Sequence, residues 1–154
     1  MISLKERNDP LEKSDLSALI CVDEADVQEV VIDHFEQLSF GLHTALDFEE
    51  AATRIRSHTY NAIVISETFA GSTADANFIV REIDQIPLAN RRDMFVIMIG
   101  FGMITRSDLQ GFICGIDLAL NTQDVFELKT LAGKGIVRQE EFYSNFKAVL
   151  NASR

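Results

Sequence analysis

Apolar residues along this chain gather in two kinds of segment that take turns. The first kind is short and continuous: "LSALICV" (16–22), "NAIVIS" (61–66) and "MFVIMIG" (94–100). None of these runs alternates apolar with polar, so each predicts a strand covered on both faces, as in the middle of a parallel sheet. "FGLHTAL" (40–46) and "IDLALN" (116–121) are weaker runs that predict two further strands. Between them the apolar spacing becomes helical. "DVQEVVIDHFEQLSF" sets Val27, Val30, Val31, His34, Phe35 and Leu38 on one face, with Asp26 and Glu29 at capping-box spacing. "DFEEAATRIRSH" repeats the device with Asp47 and Glu50 ahead of Ala51, Ala52 and Ile55. "DANFIVREIDQI" aligns Phe78, Ile79, Ile83 and Ile86, and "TRSDLQGFICG" opens with Thr105 and Asp108 at capping spacing. A last helical pattern begins at Asp124 and runs to about 150.

Five βα units in a row predict an α/β fold, a five-stranded parallel sheet doubly wound with right-handed crossovers. Residues 1–15 are polar, contain Pro10 and show no period, which predicts a flexible leader before one domain over 16–154.

Composition narrows the function more than the fold. The net charge of -10 argues against binding to nucleic acid or insertion into an anionic membrane, since both recruit clustered Lys and Arg. No apolar run reaches membrane-span length. Cys21 and Cys114 each sit in an apolar stretch with no metal-motif spacing, which suits core residues of a reducing, cytoplasmic compartment.

In a doubly wound sheet, ligands bind beyond the carboxyl ends of the strands where strand order reverses. That rule selects Asp23, Glu24 and Asp26 after the first strand, Glu67 after the third, Gly100 and Phe101 after the fourth, and Asn121, Thr122 and Gln123 after the fifth. Asp23, Glu24 and Glu67 are expected to meet in an acidic pocket. Such a cluster holds a hard cation or carries raised pKa values; solvated strand ends are the plain alternative. His34, His43 and His58 share no metal-ligand spacing, and "GFG" (100–102) lacks the rest of a phosphate fingerprint. "AGKG" (132–135) reads as a weak or bent point in a helix, and "NRRD" (90–93) as loop charge open to a carboxylate partner.

"ICVDEADVQEVVIDHFEQLSF" followed by "YNAIVISETF" resembles the receiver domain of bacterial two-component response regulators, over roughly 17 to 130. The resemblance implies a flavodoxin-like fold. It also implies an acidic pair for Mg²⁺, an Asp phosphoacceptor ending strand three, a Thr or Ser after strand four, and an aromatic and a Lys at strand five. Asp23 and Glu24 fall on the acidic pair and Glu67 on the phosphoacceptor. Gly100, Ala119 and Thr122 fall on the hydroxyl, aromatic and Lys positions. Phosphoryl transfer depends on positioning and charge neutralisation, and three of its parts differ here. The expectation is a pseudo-receiver, not an enzyme, with no cofactor and at most weak Mg²⁺ on Asp23 and Glu24. The rival reading is a metal-dependent enzyme or residual phosphoacceptor built on Asp23, Glu24 and Glu67, or slow phosphorylation at Ser66.

The C-terminal segment is long for this fold. Leu128, Ala132, Gly135, Gln139, Phe142, Phe146 and Val149 follow steps of three or four, with one polar lapse. A helix of about 26 residues spans about 39 Å, roughly twice what covers one sheet edge. Its outer half, with Phe142, Tyr143 and Phe146, is expected to pack on a protein partner, most simply a second copy. A bend near Gly133 or Gly135 that returns the helix to its own domain is the alternative.

Overall fold

The computed structural model describes residues 16–152. The leader expected over 1–15 lies outside the described residues. Five strands form one parallel sheet in the order β2-β1-β3-β4-β5: β1 Ser17–Cys21, β2 Gly41–Thr44, β3 Ala62–Ser66, β4 Phe95–Gly100 and β5 Leu118–Asn121. Ala18 pairs with Leu42 on one side and with Ala62 on the other. The helices are α1 Ala25–Gln37, α2 Phe48–Ser57, α3 Phe78–Ile83, the single turn α4 Leu88–Arg91, α5 Asp108–Cys114 and α6 Leu128–Ala152.

Continuous apolar runs become central strands because each face has its own helical cover. Ala18 and Ile20 of β1, Val64 of β3 and Ile97 of β4 pack with Val31 and Phe35 of α1 and with Leu128 and Ala132 of α6. Their sequence neighbours Leu19, Cys21, Ile63, Ile65 and Met98 face the other way, onto Ala51 and Ile55 of α2 and Ile79 and Ile83 of α3. Both layers are closed to water, so alternation along the strand leaves no polar signature.

Helix starts depart from the expected caps. Asp47 caps α2 as predicted, accepting the Glu50 N–H at 2.8 Å. In α1 the N-cap is Glu24, which makes no side-chain capping bond, and Asp26 lies inside the first turn. Ser107, not Thr105, caps α5. Thr105 is drawn away because its hydroxyl donates to Asp124 Oδ2 at 2.5 Å and accepts the Asn121 N–H at 2.9 Å. Asn77 caps α3, accepting from Ile79 and Val80, so that helix is shorter than its apolar period and leaves Phe78 at its exposed start. Asp124 falls in a 3-10 turn, Thr122–Glu127, and α6 begins four residues later.

Helix α6 runs unbroken through Gly133 and Gly135 for 25 residues. A Cβ on Gly135 would lie 2.4 Å from the Phe95 ring, so this glycine admits the ring against the helix. The polar lapse in the stripe also has a partner: Gln139 Nε2 donates to the carbonyls of Arg92 at 2.6 Å and Met94 at 2.9 Å.

Candidate functional site

Strand order reverses at β1, which pairs with β2 on one edge and β3 on the other. The carboxyl ends of β1 and β3 therefore border the crevice where this fold class places its ligands. Asp23 and Glu67 follow those two strands.

Glu67 is fixed from its backbone outward. Strand β3 is buried throughout, and the Glu67 N–H continues the ladder by donating to the Ile99 carbonyl at 2.9 Å. Its side chain then reaches over the end of β4, where Oε1 accepts the Gly102 N–H at 2.7 Å. A Cβ built on Gly100 would lie 2.1 Å from Glu67 Oε1, 2.3 Å from Cδ and 2.4 Å from Cγ. Any side chain at position 100 would thus need the volume that Glu67 fills. Two departures that look independent in sequence, an acid one methylene too long and a missing hydroxyl, fit each other in space.

The three-acid pocket expected from sequence is not assembled. Asp23 and Glu24 are exposed, Asp23 Oδ2 accepts the Thr68 hydroxyl at 3.3 Å, and Glu24 caps α1. Among the described residues no group of three His, Cys, Asp or Glu side chains is arranged to hold a metal ion. The extra methylene lets Glu67 reach a backbone donor, and a charge-assisted bond is preferable to crowding with two like charges. The residues described therefore do not fit the Mg²⁺ site implied by the resemblance. Ser66 is buried, and its hydroxyl accepts the Asp23 N–H at 3.3 Å.

Ala119 is buried in β5 opposite Met98. Thr122 opens the 3-10 turn, and its Oγ1 is enclosed without a hydrogen-bond partner among the described residues. No cation stands at either position. The loop from β4 to α5 is instead held by neutral groups. Asn121 Nδ2 donates to the carbonyls of Phe101 at 3.3 Å and Met103 at 2.9 Å. Gln110 accepts the Ile104 N–H at 2.6 Å and donates to the Gly102 carbonyl at 3.0 Å. With Glu67 and Thr105, these contacts pin the loop from four directions. Sequence reasoning named Asn121 only by place and missed Gln110 and Asn77. Asn77 is buried and donates to the Ser66 and Glu67 carbonyls at 3.2 and 3.4 Å; an Asn directly before the apolar period of "FIV" was the available signal.

Cys21 is fully buried, and burial, with a smaller push from Glu50, drives its thiol well above the ordinary range, so it is an inert core residue. The histidines stay apart from the crevice. His43 Nδ1 lies 2.8 Å from the buried Tyr60 hydroxyl, and the His58 ring packs tilted against His43 with centroids 5.2 Å apart. In the basic dipeptide, Arg91 pairs with Asp117 at 3.2 Å, and Arg92 lies over the rings of Tyr143 at 6.0 Å and Phe146 at 5.2 Å. The outer half of α6 still leaves apolar surface in water: Phe142, whose ring meets Tyr143 edge-on, is 62% exposed, Phe146 38% and Leu150 43%.

The sheet order, the five parallel strands and their helical layers define a flavodoxin-like doubly wound domain with an extended C-terminal helix. Solved structures similar to it include response regulators and their receiver domains. The signal receiver domain of a DNA-binding response regulator from Colwellia psychrerythraea 34H superposes with a TM-score of 0.64 at 17% identity, over 80% of this chain and 99% of that one. The receiver domain of Francisella response regulator 1452 gives 0.61 at 19% identity, over 80% and 98%. The chemotaxis response regulator CheY4 of Vibrio cholerae gives 0.57 at 15% identity, over 77% and 97%. At these identities the likeness is one of fold. No protein-family model matches the sequence, and no curated protein matches it. No helix among the described residues is long and apolar enough to cross a membrane.

Proposed function

We propose that this chain is a receiver-like signalling domain of the two-component type that does not accept a phosphoryl group and acts by binding other proteins in the cytoplasm. One observation carries the reading: the Glu67 carboxylate, bonded to the Gly102 N–H, fills the space beside Gly100. An acceptor carboxylate must present an oxygen to an in-line donor with its charge neutralised. Glu67 spends that oxygen on the loop, no lysine stands at Thr122 and no hydroxyl at Gly100. The same contact holds the β4–α5 loop in one arrangement without phosphate, so the domain is set rather than switched.

Two further parts belong to the reading. Any attraction of Mg²⁺ to the exposed Asp23 and Glu24 is electrostatic and no tighter than roughly millimolar, because octahedral geometry is not offered. The outer half of α6 forms a homodimer contact through Phe142, Tyr143 and Phe146, since a large apolar stripe left in water marks an interface. The central test is incubation with acetyl phosphate and Mg²⁺, followed by intact mass. The expected spectrum shows no phosphoryl adduct; a labile adduct mapped to Glu67 or Ser66 would refute the reading.

A further inference from the structure

The first turn of α6 is held by a side chain from another helix. The Lys129 N–H donates to His34 Nδ1 of α1 at 3.1 Å, across 95 residues of chain. Backbone N–H groups in the first turn of a helix have no carbonyl four residues back within it, and a nearby Ser, Thr, Asp or Asn usually supplies the acceptor. Here an imidazole supplies it. The contact belongs to a seam between the two helices. Leu128 and Ala132 of α6 are buried with Val31 and Phe35 of α1, and a Cβ on Gly133 would lie 3.6 Å from Leu38. His34 is half-buried beside them.

A small polar network surrounds the ring. Lys129 Nζ donates to Gln37 Oε1 at 2.9 Å, and Gln37 Nε2 donates to Asp33 Oδ2 at 2.9 Å. The 3-10 turn that leads into α6 adds two acids: Asp124 is turned to the Thr105 hydroxyl, and Glu127 is exposed. Within this set the imidazole is the group whose charge changes in mildly acidic water. An accepting nitrogen has to be bare, so the neutral ring carries its proton on Nε2. A proton on Nδ1 would set donor against donor and place positive charge at the positive end of the helix dipole. Burial, the largest influence, favours the neutral ring; Asp33 opposes this and Lys129 adds to it.

We infer that His34 is a pH-sensitive latch between α1 and α6: neutral, it holds the first turn of α6 against α1, and protonated, it lets that turn go. The latch is shut at neutral pH and opens as pH falls below the ordinary 6.5 of histidine. It does not depend on whether Glu67 accepts phosphate, nor on what α6 touches. Its release is local, because α6 has other anchors. About two and three turns farther on, Gly135 lies against the Phe95 ring and Gln139 bonds to the carbonyls of Arg92 and Met94. Those contacts carry no titrating group and act as a pivot. Helix α6 is unbroken over 25 residues, so loosening its first turn alters the seat of the whole element, Phe142 and Phe146 included.

NMR of the full-length chain tests the latch. Followed from about pH 8 to 5, the Lys129 amide and the His34 ring should move with one midpoint, below 6.5. Ring nitrogen shifts at pH 7.5 should show a bare Nδ1. Exchange protection factors of amides 132–135, which bond back to the first turn and are corrected for the intrinsic effect of pH, should fall roughly threefold or more between pH 7.5 and 5.5, the scale of a lost helix cap. In His34→Gln, which keeps an acceptor that does not titrate, that fall should vanish. In His43→Gln, which removes the buried imidazole of β2, it should remain. A Lys129 amide that ignores the His34 titration, a proton on Nδ1 at pH 7.5, or a fall that persists in His34→Gln would overturn the latch. So would a fall abolished by His43→Gln, which would assign the effect to β2. The parent titration needs no variant and decides alone if His34→Gln does not fold.

Discussion

Placing a methyl group at position 100 tests whether Glu67 and Gly100 act as one unit. In Gly100→Ala the new Cβ would meet Glu67 at 2.1 to 2.4 Å, and the contact includes Cγ and Cδ as well as the carboxylate tip. A shift of the tip alone cannot relieve that, so the side chain must swing away and give up its bond to the Gly102 N–H. A hydrogen bond to a charged group contributes about 1.5–3 kcal/mol when buried; Glu67 is half-buried, which reduces this to about 1 kcal/mol. Displacement from its rotamer adds about 0.5–1.5 kcal/mol. Against this, alanine in a strand is worth about 0.5–1 kcal/mol over glycine, and Gly100 does not have a positive φ. The substitution should therefore destabilise the native chain by about 1 kcal/mol. In a Glu67→Ala background it should stabilise by about 0.5–1 kcal/mol, because the obstacle is gone. Urea unfolding of the four proteins in the cycle gives the coupling, expected at about 1–2 kcal/mol. Additivity within about 0.5 kcal/mol would show that the two positions are independent and that Glu67 does not occupy the space beside Gly100.

The two glycines of α6 should respond in opposite directions. Gly135→Ala drives a methyl into the Phe95 ring and should cost about 1–3 kcal/mol. Gly133→Ala meets only Leu38 at 3.6 Å and should gain up to about 1 kcal/mol in thermal or urea unfolding; equal losses at both would mean the ring contact is not what sets them apart. Burial, then the charges of Arg54 and His58, hold His43 below its ordinary 6.5. Burial also lowers His34, whose Nδ1 accepts the Lys129 N–H at 3.1 Å. The unfolded chain binds these protons first, so stability is full above about pH 7 and falls as pH drops below 6.5 toward the depressed folded values. Urea midpoints at pH 7.5 and 5.5 should differ, and less so in His43→Gln; an unchanged difference would remove His43 from the account. Light scattering of the intact chain at tens of micromolar should give a dimer, and Phe142→Asp with Phe146→Asp should give folded monomers, each buried Phe being worth about 1.5–3 kcal/mol. A monomeric parent would dismiss the contact, and an unfolded double variant would assign the aromatics to the domain's own core.

Much of the architecture was legible in the chain because it rests on local pattern. Continuous runs such as "AIVIS" require two covered faces, helical spacing such as Val27, Val31, Phe35 requires one, and their alternation leaves few topologies. The strand ends, and hence Asp23, Glu67, Gly100 and Asn121, followed from the same pattern. Helix starts were less legible, since Thr105 can cap a helix or bond across to Asp124 and Asn121, and only the neighbours decide which. The site was legible by address but not by arrangement. Sequence brought Glu67 together with Asp23 and Glu24; the fold turned it to Gly102, because a carboxylate goes to the nearest unfilled donor and away from like charge. Likewise Gly135 looked like a weak point in a helix, whereas the Phe95 ring 40 residues earlier makes it a packing requirement. Short-range spacing decides which elements form, while contacts between residues far apart in the chain decide what each side chain at their ends can do.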